Sequence, residues 1–232
     1  MILDRNGLVR LDSNGALDTT FNASTNAIIN AVAIQPAGKI LVGGQGYIDR
    51  LNTDGTTDAT FNTGTGFGGG SRPGSMIYAA ELTNSRGGNF NGYNGATGVN
   101  RIARLNANGS LDTAFTINTG AGFDFGAVNI LALQTDGKIA AGGFFANFNA
   151  VSSNNIVRLH ANGTRDASFN VGTGFDNVVN DLKLQPSGQI VVGGERHRFA
   201  VERENHHRRY FNPSLSACWH RPSFFGSHEF GF

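Results

Sequence analysis

The chain carries one cysteine, Cys218, in 232 residues. That excludes an internal disulfide framework and leaves the redox compartment open. Neither sign of charge is in excess: 18 Lys and Arg against 17 Asp and Glu give a formal net charge of +1. There is thus no electrostatic case for nucleic acid or for an anionic membrane surface. No apolar run approaches membrane-spanning length, so no membrane insertion is expected. The opening Met1-Ile2-Leu3-Asp4-Arg5-Asn6-Gly7 has neither a basic stretch leading into an apolar run nor a cleavage site, so no signal peptide is expected. Helical periodicity is nowhere prominent.

Turn chemistry is what the chain has in abundance. Its 33 glycines, with many Asn, Thr and Asp, describe short strands joined by tight turns. A hydrophobic content of 39% suffices for one layered all-β core at this length. An Asp-x-x-Phe box recurs as Asp18…Phe21, Asp58…Phe61, Asp112…Phe115 and Asp166…Phe169, with Asp-to-Asp steps of 40, 54 and 54 residues. A self-similar period near 50 with strand-like contents signals blades, solenoids or arrays. A residue present once per repeat is there to build the repeat, which sets a high bar for reading any of these aspartates as functional.

Each unit reads as strand, turn, strand, loop, strand, turn. In the third these are Val128 to Gln134, Thr135-Asp136-Gly137, Lys138 to Gly143, a loop, Asn155 to His160, and Ala161-Asn162-Gly163 ahead of Asp166. Aligned on Gln35, Gln134 and Gln185, the first strand puts Val32/Leu131/Leu182 and Ile34/Leu133/Leu184 on one face and Ala31/Ile130/Asp181 on the other, the period of two that a sheet requires. Each second strand ends in Gly43-Gly44, Gly142-Gly143 or Gly193-Gly194, where two backbones can approach closely. A Gly-x-Gly-Phe turn follows at Gly64 to Phe67, Gly120 to Phe123 and Gly172 to Phe175.

The run Ile102-Ala103-Arg104-Leu105-Asn106-Ala107-Asn108-Gly109-Ser110-Leu111-Asp112, the phenylalanine three residues on, and Gln134-Thr135-Asp136-Gly137-Lys138-Ile139 ending in Gly-Gly resemble the delta-60 repeat of bacterial proteins. The resemblance covers residues 1–194 and rests on several linked boxes in fixed order. It implies a β-propeller-like tandem array, an exported or cell-surface setting, and no assigned catalytic residues.

Two departures from the pattern stand out. The first step is 14 residues short, a trimmed connecting loop. The second unit offers Glu81-Leu82-Thr83-Asn84-Ser85-Arg86 in place of the Asp-Gly-Lys-Ile hairpin, so its central strands are expected to be shorter or irregular. After Gly194 the composition changes. Residues 195–232 hold 6 arginines, 5 of the 6 histidines, the only Trp and the only Cys, and no Lys or Asp. With chosen codons, a one-base shift across Trp219 to Phe224 restores Gly-Ile-Asp-Pro-Ala-Phe, its Asp about 55 residues past Asp166, in phase with the period of the array. Residues 195–232 therefore read as an aberrant tail, disordered or out of frame. Set against this are a metal site from His197, His206, His207, Cys218 and His220, which lacks paired ligand spacing, and a basic nucleic-acid tail, which four glutamates interrupt.

Other motifs have plain structural readings beside the functional ones. Asn52-Thr53-Asp54-Gly55-Thr56-Thr57-Asp58 resembles part of a calcium loop, yet no bidentate Glu follows, and an Asn/Asp-Gly turn accounts for it. Gly64-Thr65-Gly66-Phe67-Gly68-Gly69 satisfies a phosphate-cradling pattern but lacks a following helix. Phe144, Phe145 and Phe148 could stack on sugars or bases, or pack a β-layer. His160 is a lone histidine at a turn. General acid–base chemistry needs two carboxylates in unlike environments at one cleft, whereas Asp18, Asp58, Asp112 and Asp166 sit on successive units.

The expected fold is all-β, a tandem array of four-stranded antiparallel blades forming a partial, open β-propeller of about three and a half blades that starts mid-blade. The expected function is a non-enzymatic scaffold, a fragment of an exported or surface protein binding protein or glycan through blade loops. No catalytic, cofactor or metal residues are assigned, and self-association through open sheet edges is expected. The alternatives are a fragment of a propeller hydrolase or lyase whose catalytic residues lie in missing blades, and a truncated product without function.

Overall fold

The computed structural model describes residues 7–23, 25, 28–44, 46–68, 73–79, 83–88 and 90–195. Met1–Val201 form one compact unit and Glu202–Phe232 a second; every described residue lies in the first. The expectations for the tail fall almost wholly outside the described residues.

Small antiparallel sheets follow one another along the chain. The first joins β1 (Ile29–Ile34), β2 (Ile40–Gly44) and β3 (Tyr47–Leu51) in that order. After β4 (Phe67–Gly68), the second joins β5 (Pro73–Ala79) and β6 (Thr83–Gly88) and, beyond β7 (Gly92–Tyr93) and β8 (Ala96–Thr97), β9 (Ile102–Leu105). A short helix, α1 (Thr113–Thr119), precedes the third, which joins β10 (Ala127–Leu133) and β11 (Ile139–Phe144) and, beyond the small hairpin β12 (Asn147–Phe148) and β13 (Val151–Ser152), β14 (Ile156–Leu159). The fourth contains β15 (Val179–Leu184) and β16 (Ile190–Gly194). The first strands of successive sheets stand side by side, β1 beside β5, β5 beside β10 and β10 beside β15. Sheets stacked face to face through their inner strands are blades, and the fold is a partial, open β-propeller.

Each complete blade has three named strands, and its fourth position is a single bridge: Leu51 with Thr57, Leu105 with Leu111, Leu159 with Arg165. The reason lies in the Asp box. The backbone N–H groups of Asp58, Asp112 and Asp166 each donate to the carbonyl of the arginine eight residues earlier, at 2.8 Å, and the chain then turns into the box instead of continuing the ladder.

The middle strands explain the glycine pairs. Ile40–Gly44 and Ile139–Gly143 are buried on both faces; a following blade covers one face of each, and the other is covered by the preceding blade for Ile139–Gly143 and by the segment carrying Leu8 and Phe21 for Ile40–Gly44. Ladder register slips between Ile29 and Ala31 and between Val128 and Ile130, a bulge that brings carbonyls over the second glycine. A Cβ at Gly44 would lie 2.2 Å from the Ile28 oxygen, and one at Gly143 2.1 Å from the Ala127 oxygen, distances no side chain tolerates.

The shared face of the first strands is confirmed in kind and differs in depth. Leu131 and Leu182 are 3% and 2% exposed, covered by the preceding blade, whereas Val32 is 49% and Ile34 63% exposed, because β1 has no preceding inner strand among the described residues. The second blade corrects the expectation that its central strands are shorter, while their register is irregular, slipping between Pro73 and Met76. β5 has seven residues and β6 six, as long as their counterparts, since ladder pairing to β9 rests on backbone groups and does not require the Asp-Gly-Lys-Ile turn.

Three apolar clusters fill the seams. Leu8, Phe21, Ile40, Val42 and Leu51 lie at the first, Leu41, Phe61, Phe90, Ala103 and Leu105 at the second, and Ile102, Phe115, Phe145, Val157 and Leu159 at the third. No helix among the described residues is long and apolar enough to cross a membrane.

Candidate functional site

The four Asp boxes are clamps built on a partner that the box pattern omits. Arg10, Arg50, Arg104 and Arg158, each eight residues before its Asp, donate from Nε to Oδ2 of Asp18, Asp58, Asp112 and Asp166 at 2.8, 2.6, 2.8 and 2.9 Å. Each guanidinium also lies over the box phenylalanine, with Cζ 4.5–4.8 Å from the ring centre of Phe21, Phe61, Phe115 or Phe169. Nη1 of Arg10, Arg50 and Arg104 then reaches the next blade, donating to the carbonyls of Thr53, Ala107 and Ala161. One planar fork therefore ties strand, box and neighbouring blade together, a task suited to guanidinium and poorly met by ammonium. The signal was in the sequence as a fixed spacing of eight.

Hydrogen bonds hold these carboxylates ionised. The Thr20 hydroxyl and N–H, followed by Arg10, lower Asp18 to about 2 from its usual 3.8. Burial pushes Asp58 up, and Lys39, Thr60 and Arg50 together outweigh it, leaving the group well below the carboxylate range. Asp166 is held low by the Ser168 hydroxyl first, against burial, with Lys138 and Arg158 assisting. Asp49 is shifted the other way, upward, by burial.

The remaining sequence motifs resolve into turns. Asp54 Oδ1 accepts from the Thr56 N–H and hydroxyl, Asn52 Oδ1 accepts from Lys39 Nζ, and Asp58 lies between Lys39 and Arg50. The run from Asn52 to Asp58 is thus oriented onto protein donors. In the glycine-rich segment, the N–H groups of Gly64, Thr65 and Gly66 donate to Asn62 Oδ1, Asn94 Oδ1 and the Thr63 carbonyl, and strand β4 follows rather than a helix. His160 Nε2 stands 3.8 Å from Asp166 at the rim of the clamp. The tail histidines and Cys218 lie outside the described residues.

The phenylalanines separate into two groups. Phe145 and Phe148 are 1% and 0% exposed and pack against Phe123 with ring centres 4.5 and 4.9 Å apart; they are core. Phe144 is 48% and Phe125 43% exposed, and the two rings meet edge to face at 5.3 Å. They border a groove of about 350 Å³ with Asn154, Asn155, Thr173 and Asp176 on its other wall.

Comparison across repeats shows what is particular to this groove. Phe125 occupies the place of Gly69 and Asn177, counted from the Gly-x-Gly-Phe turn, and Phe144 that of Asn89 and Glu195, counted from the glycine pair. Neither aromatic recurs, so neither is needed to build a blade. The wall opposite does follow the repeat plan. Asn155, at φ 69°, corresponds to Arg101, at φ 68°; both fasten to carbonyls of the following Gly-x-Gly-Phe turn, Asn155 Nδ2 to Phe175 at 2.8 Å and Arg101 Nη1 to Phe123 at 2.7 Å. Asn154 Nδ2 donates to the Thr173 carbonyl. Asp124 Oδ1 accepts from the N–H groups of Phe125, Ala146 and Asn147, which fixes the backbone on both sides of the aromatic pair. The result is a rigid apolar step facing amide and carboxylate groups, and sequence reading named Phe144 without distinguishing it from its buried neighbours.

The model of a β-propeller family, described as a domain of unknown function (DUF5122), matches residues 3–21, 35–61, 87–115 and 134–169. All four segments end on a box phenylalanine. A solved structure of a protein of unknown function from Bacteroides caccae is similar over 68% of this chain and 56% of its own length, at 13% identity and a TM-score of 0.38. This chain thus spans a little over half of that protein. No curated protein matches.

Proposed function

We propose that this chain is a non-enzymatic propeller scaffold of the delta-60 type, from an exported or surface bacterial protein, and that it binds carbohydrate in the groove beside Phe125 and Phe144. The observation that carries the reading is the non-repeated, half-exposed aromatic pair in an otherwise repetitive array. The negative faces of such rings attract the weakly positive axial C–H groups of a pyranose, while amide and carboxylate groups across the groove suit its hydroxyls. The box carboxylates are each engaged by arginine, and Asp58 and Asp166 by lysine as well, which supports a binding role over acid–base chemistry.

Affinity electrophoresis of the full chain through gels containing laminarin, xylan or a chitin oligosaccharide conjugate tests this. At least one should retard the protein, and Phe144→Ala should weaken that retardation about tenfold, equivalent to about 1.4 kcal/mol, with circular dichroism unchanged. Equal mobility in all gels, or retardation that survives Phe125→Ala and Phe144→Ala together, would overturn the reading.

A further inference from the structure

Six Asn-Gly pairs punctuate the chain, and each is capable in principle of a reaction that needs only water. Asparagine is among the chemically labile residues. The backbone nitrogen of the following glycine loses its proton and attacks the side-chain Cγ, the Nδ2 group leaves as ammonia, and a succinimide ring closes. Glycine permits this because no Cβ hinders the approach. Water then opens the ring at one of its two carbonyls, giving aspartate or, with the main chain rerouted through Cγ, isoaspartate. One amide and one water become one carboxylate and one ammonium, with nothing oxidised or reduced. In a folded chain the pairs are separated by whether the glycine N–H is already engaged and whether its backbone can open.

Most of the pairs are restrained. Gly15, Gly109 and Gly163 close the turns ahead of the Asp boxes, and their N–H groups donate to the carbonyls of Asp12, Asn106 and His160 at 3.1, 3.0 and 2.9 Å. Asn108 and Asn162 are also pinned through Oδ1, which accepts from the N–H groups of Ser110 and Thr164. Gly92 lies in β7, the central strand of a small sheet, paired with Gly68 on β4 and with Thr97 on β8. Closing a ring on Gly92 would break into both ladders. Asn6 of the sixth pair lies outside the described residues.

Asn94-Gly95 differs in each respect. These two residues form the tip of the β7–β8 hairpin, with Tyr93 opposite Ala96. Both have positive φ, 46° and 80°, as a two-residue hairpin turn requires, and both are exposed. The Gly95 N–H has no acceptor among the described residues, and nothing stands within 4 Å of where its Cβ would be. The hairpin is closed by two residue pairs, so it opens more readily than the long strands of a blade. The electrophile is prepared as well. Asn94 Oδ1 accepts from the Thr65 N–H at 3.1 Å, a donor placed where negative charge builds when Cγ is attacked.

The next blade repeats this geometry with one residue changed. Asn149, at φ 48°, stands at the tip of the β12–β13 hairpin and is followed by Ala150, at φ 61°. Both are exposed, and Asn149 Oδ1 accepts from the Ala121 N–H at 3.2 Å. The methyl group of Ala150 is thus the main difference between the two tips. Each asparagine also fastens its hairpin to the preceding Gly-x-Gly-Phe turn: the Asn94 N–H donates to the Gly66 carbonyl at 2.7 Å, and a Cβ on Gly64 would overlap the Asn94 amide. Isoaspartate there would add a methylene to the main chain and set a carboxylate against that turn.

We propose that Asn94 is a site of spontaneous deamidation in the folded protein, and that its conversion to isoaspartate loosens the β7–β8 hairpin from the turn at Gly64 to Phe67. The new carboxylate takes the formal net charge from +1 to zero. The proposal is independent of the groove.

The test ages the folded full-length chain at mildly alkaline pH and follows it by tryptic mass spectrometry. Cleavage after Arg86 and Arg101 isolates Asn94, and cleavage after Lys138 and Arg158 isolates Asn149; electron-transfer fragmentation tells isoaspartate from aspartate. Asn94 should convert about tenfold faster than Asn149, Asn108 or Asn162, with isoaspartate the main product. In urea Asn108 and Asn162 should draw level with Asn94, while Asn149 should still lag. Ala150→Gly should raise Asn149 to the rate of Asn94, and Gly95→Ala should bring Asn94 down to that of Asn149, a substitution the turn accepts at Ala150. Equal rates at Asn94 and Asn149 in the folded chain would overturn the site, as would Asn108 or Asn162 matching Asn94 before unfolding or lagging it after. Amides of residues 87–101 should exchange with deuterium faster in the aged chain than in the fresh one, and unchanged exchange after conversion would overturn the loosening.

Discussion

At the scale of single residues the chain is organised around arginine. The clamps are not equally buried: the Arg50 and Asp58 side chains are 10% and 4% exposed, while those of Arg10 and Asp18 are 40% and 24% exposed. Breaking a buried pair strands a charge, so Arg50→Ala is expected to cost about 3–5 kcal/mol, whereas Arg10→Ala should cost far less because solvent screens its pair with Asp18. Urea titration of the two variants checks the gradient. Arg50→Lys should recover little, since an ammonium can neither stack flat on Phe61 nor fork to Asp58 and the Ala107 carbonyl. The clamps also set the acid response. Asp18 titrates at about 2 in the folded chain against 3.8 ordinarily, and Asp58, Asp112 and Asp166 are likewise lowered. Their contribution is therefore present in full above the ordinary carboxylate range and is lost progressively as pH falls below about 4, through about 2 for Asp18 and further down for the more strongly held Asp58 and Asp166. Thermal unfolding should show a plateau near neutrality and a fall in that window, smaller in Asp112→Asn than in the parent. The Asp and Phe of each box are legible in sequence by recurrence. Arg recurs just as regularly, but its role depends on a strand-to-box contact that spacing alone does not reveal.

At the scale of elements, glycines with similar appearance in the sequence do different things. Gly143 has an ordinary backbone angle and a carbonyl 2.1 Å from where its Cβ would stand, so Gly143→Ala should force the bulge apart at about 1–3 kcal/mol. Gly188 has φ +85° and nothing within 4 Å, so Gly188→Ala meets only the left-handed backbone penalty of about 1–2 kcal/mol. Melting temperatures of the two variants should differ in that order. The box at Asp112 shows a local choice that the repeat does not dictate: Asp112 accepts from Phe115 N–H and caps α1, where Asp58 and Asp166 accept from residues two further on, Thr60 and Ser168. The second blade shows the reverse, a full-length hairpin without the expected turn residues, because its strands are held from both sides.

Over the whole molecule, each blade is stabilised mainly by its neighbours, as in other repeat arrays. β11 is buried along its length except at Phe144, whereas β16 is only partly covered. Amides of β16 should therefore exchange with deuterium much faster than those of β11, measured by mass spectrometry of peptic fragments. The sequence by itself determined the blade: alternation, glycine corners and the Asp box are local patterns, and each copy restates them. It also showed, through recurrence, which polar residues belong to construction. Only the tertiary structure decided which aromatics are core and which line a groove, since Phe144 and Phe145 are adjacent and chemically identical, and burial depends on which face meets the next blade.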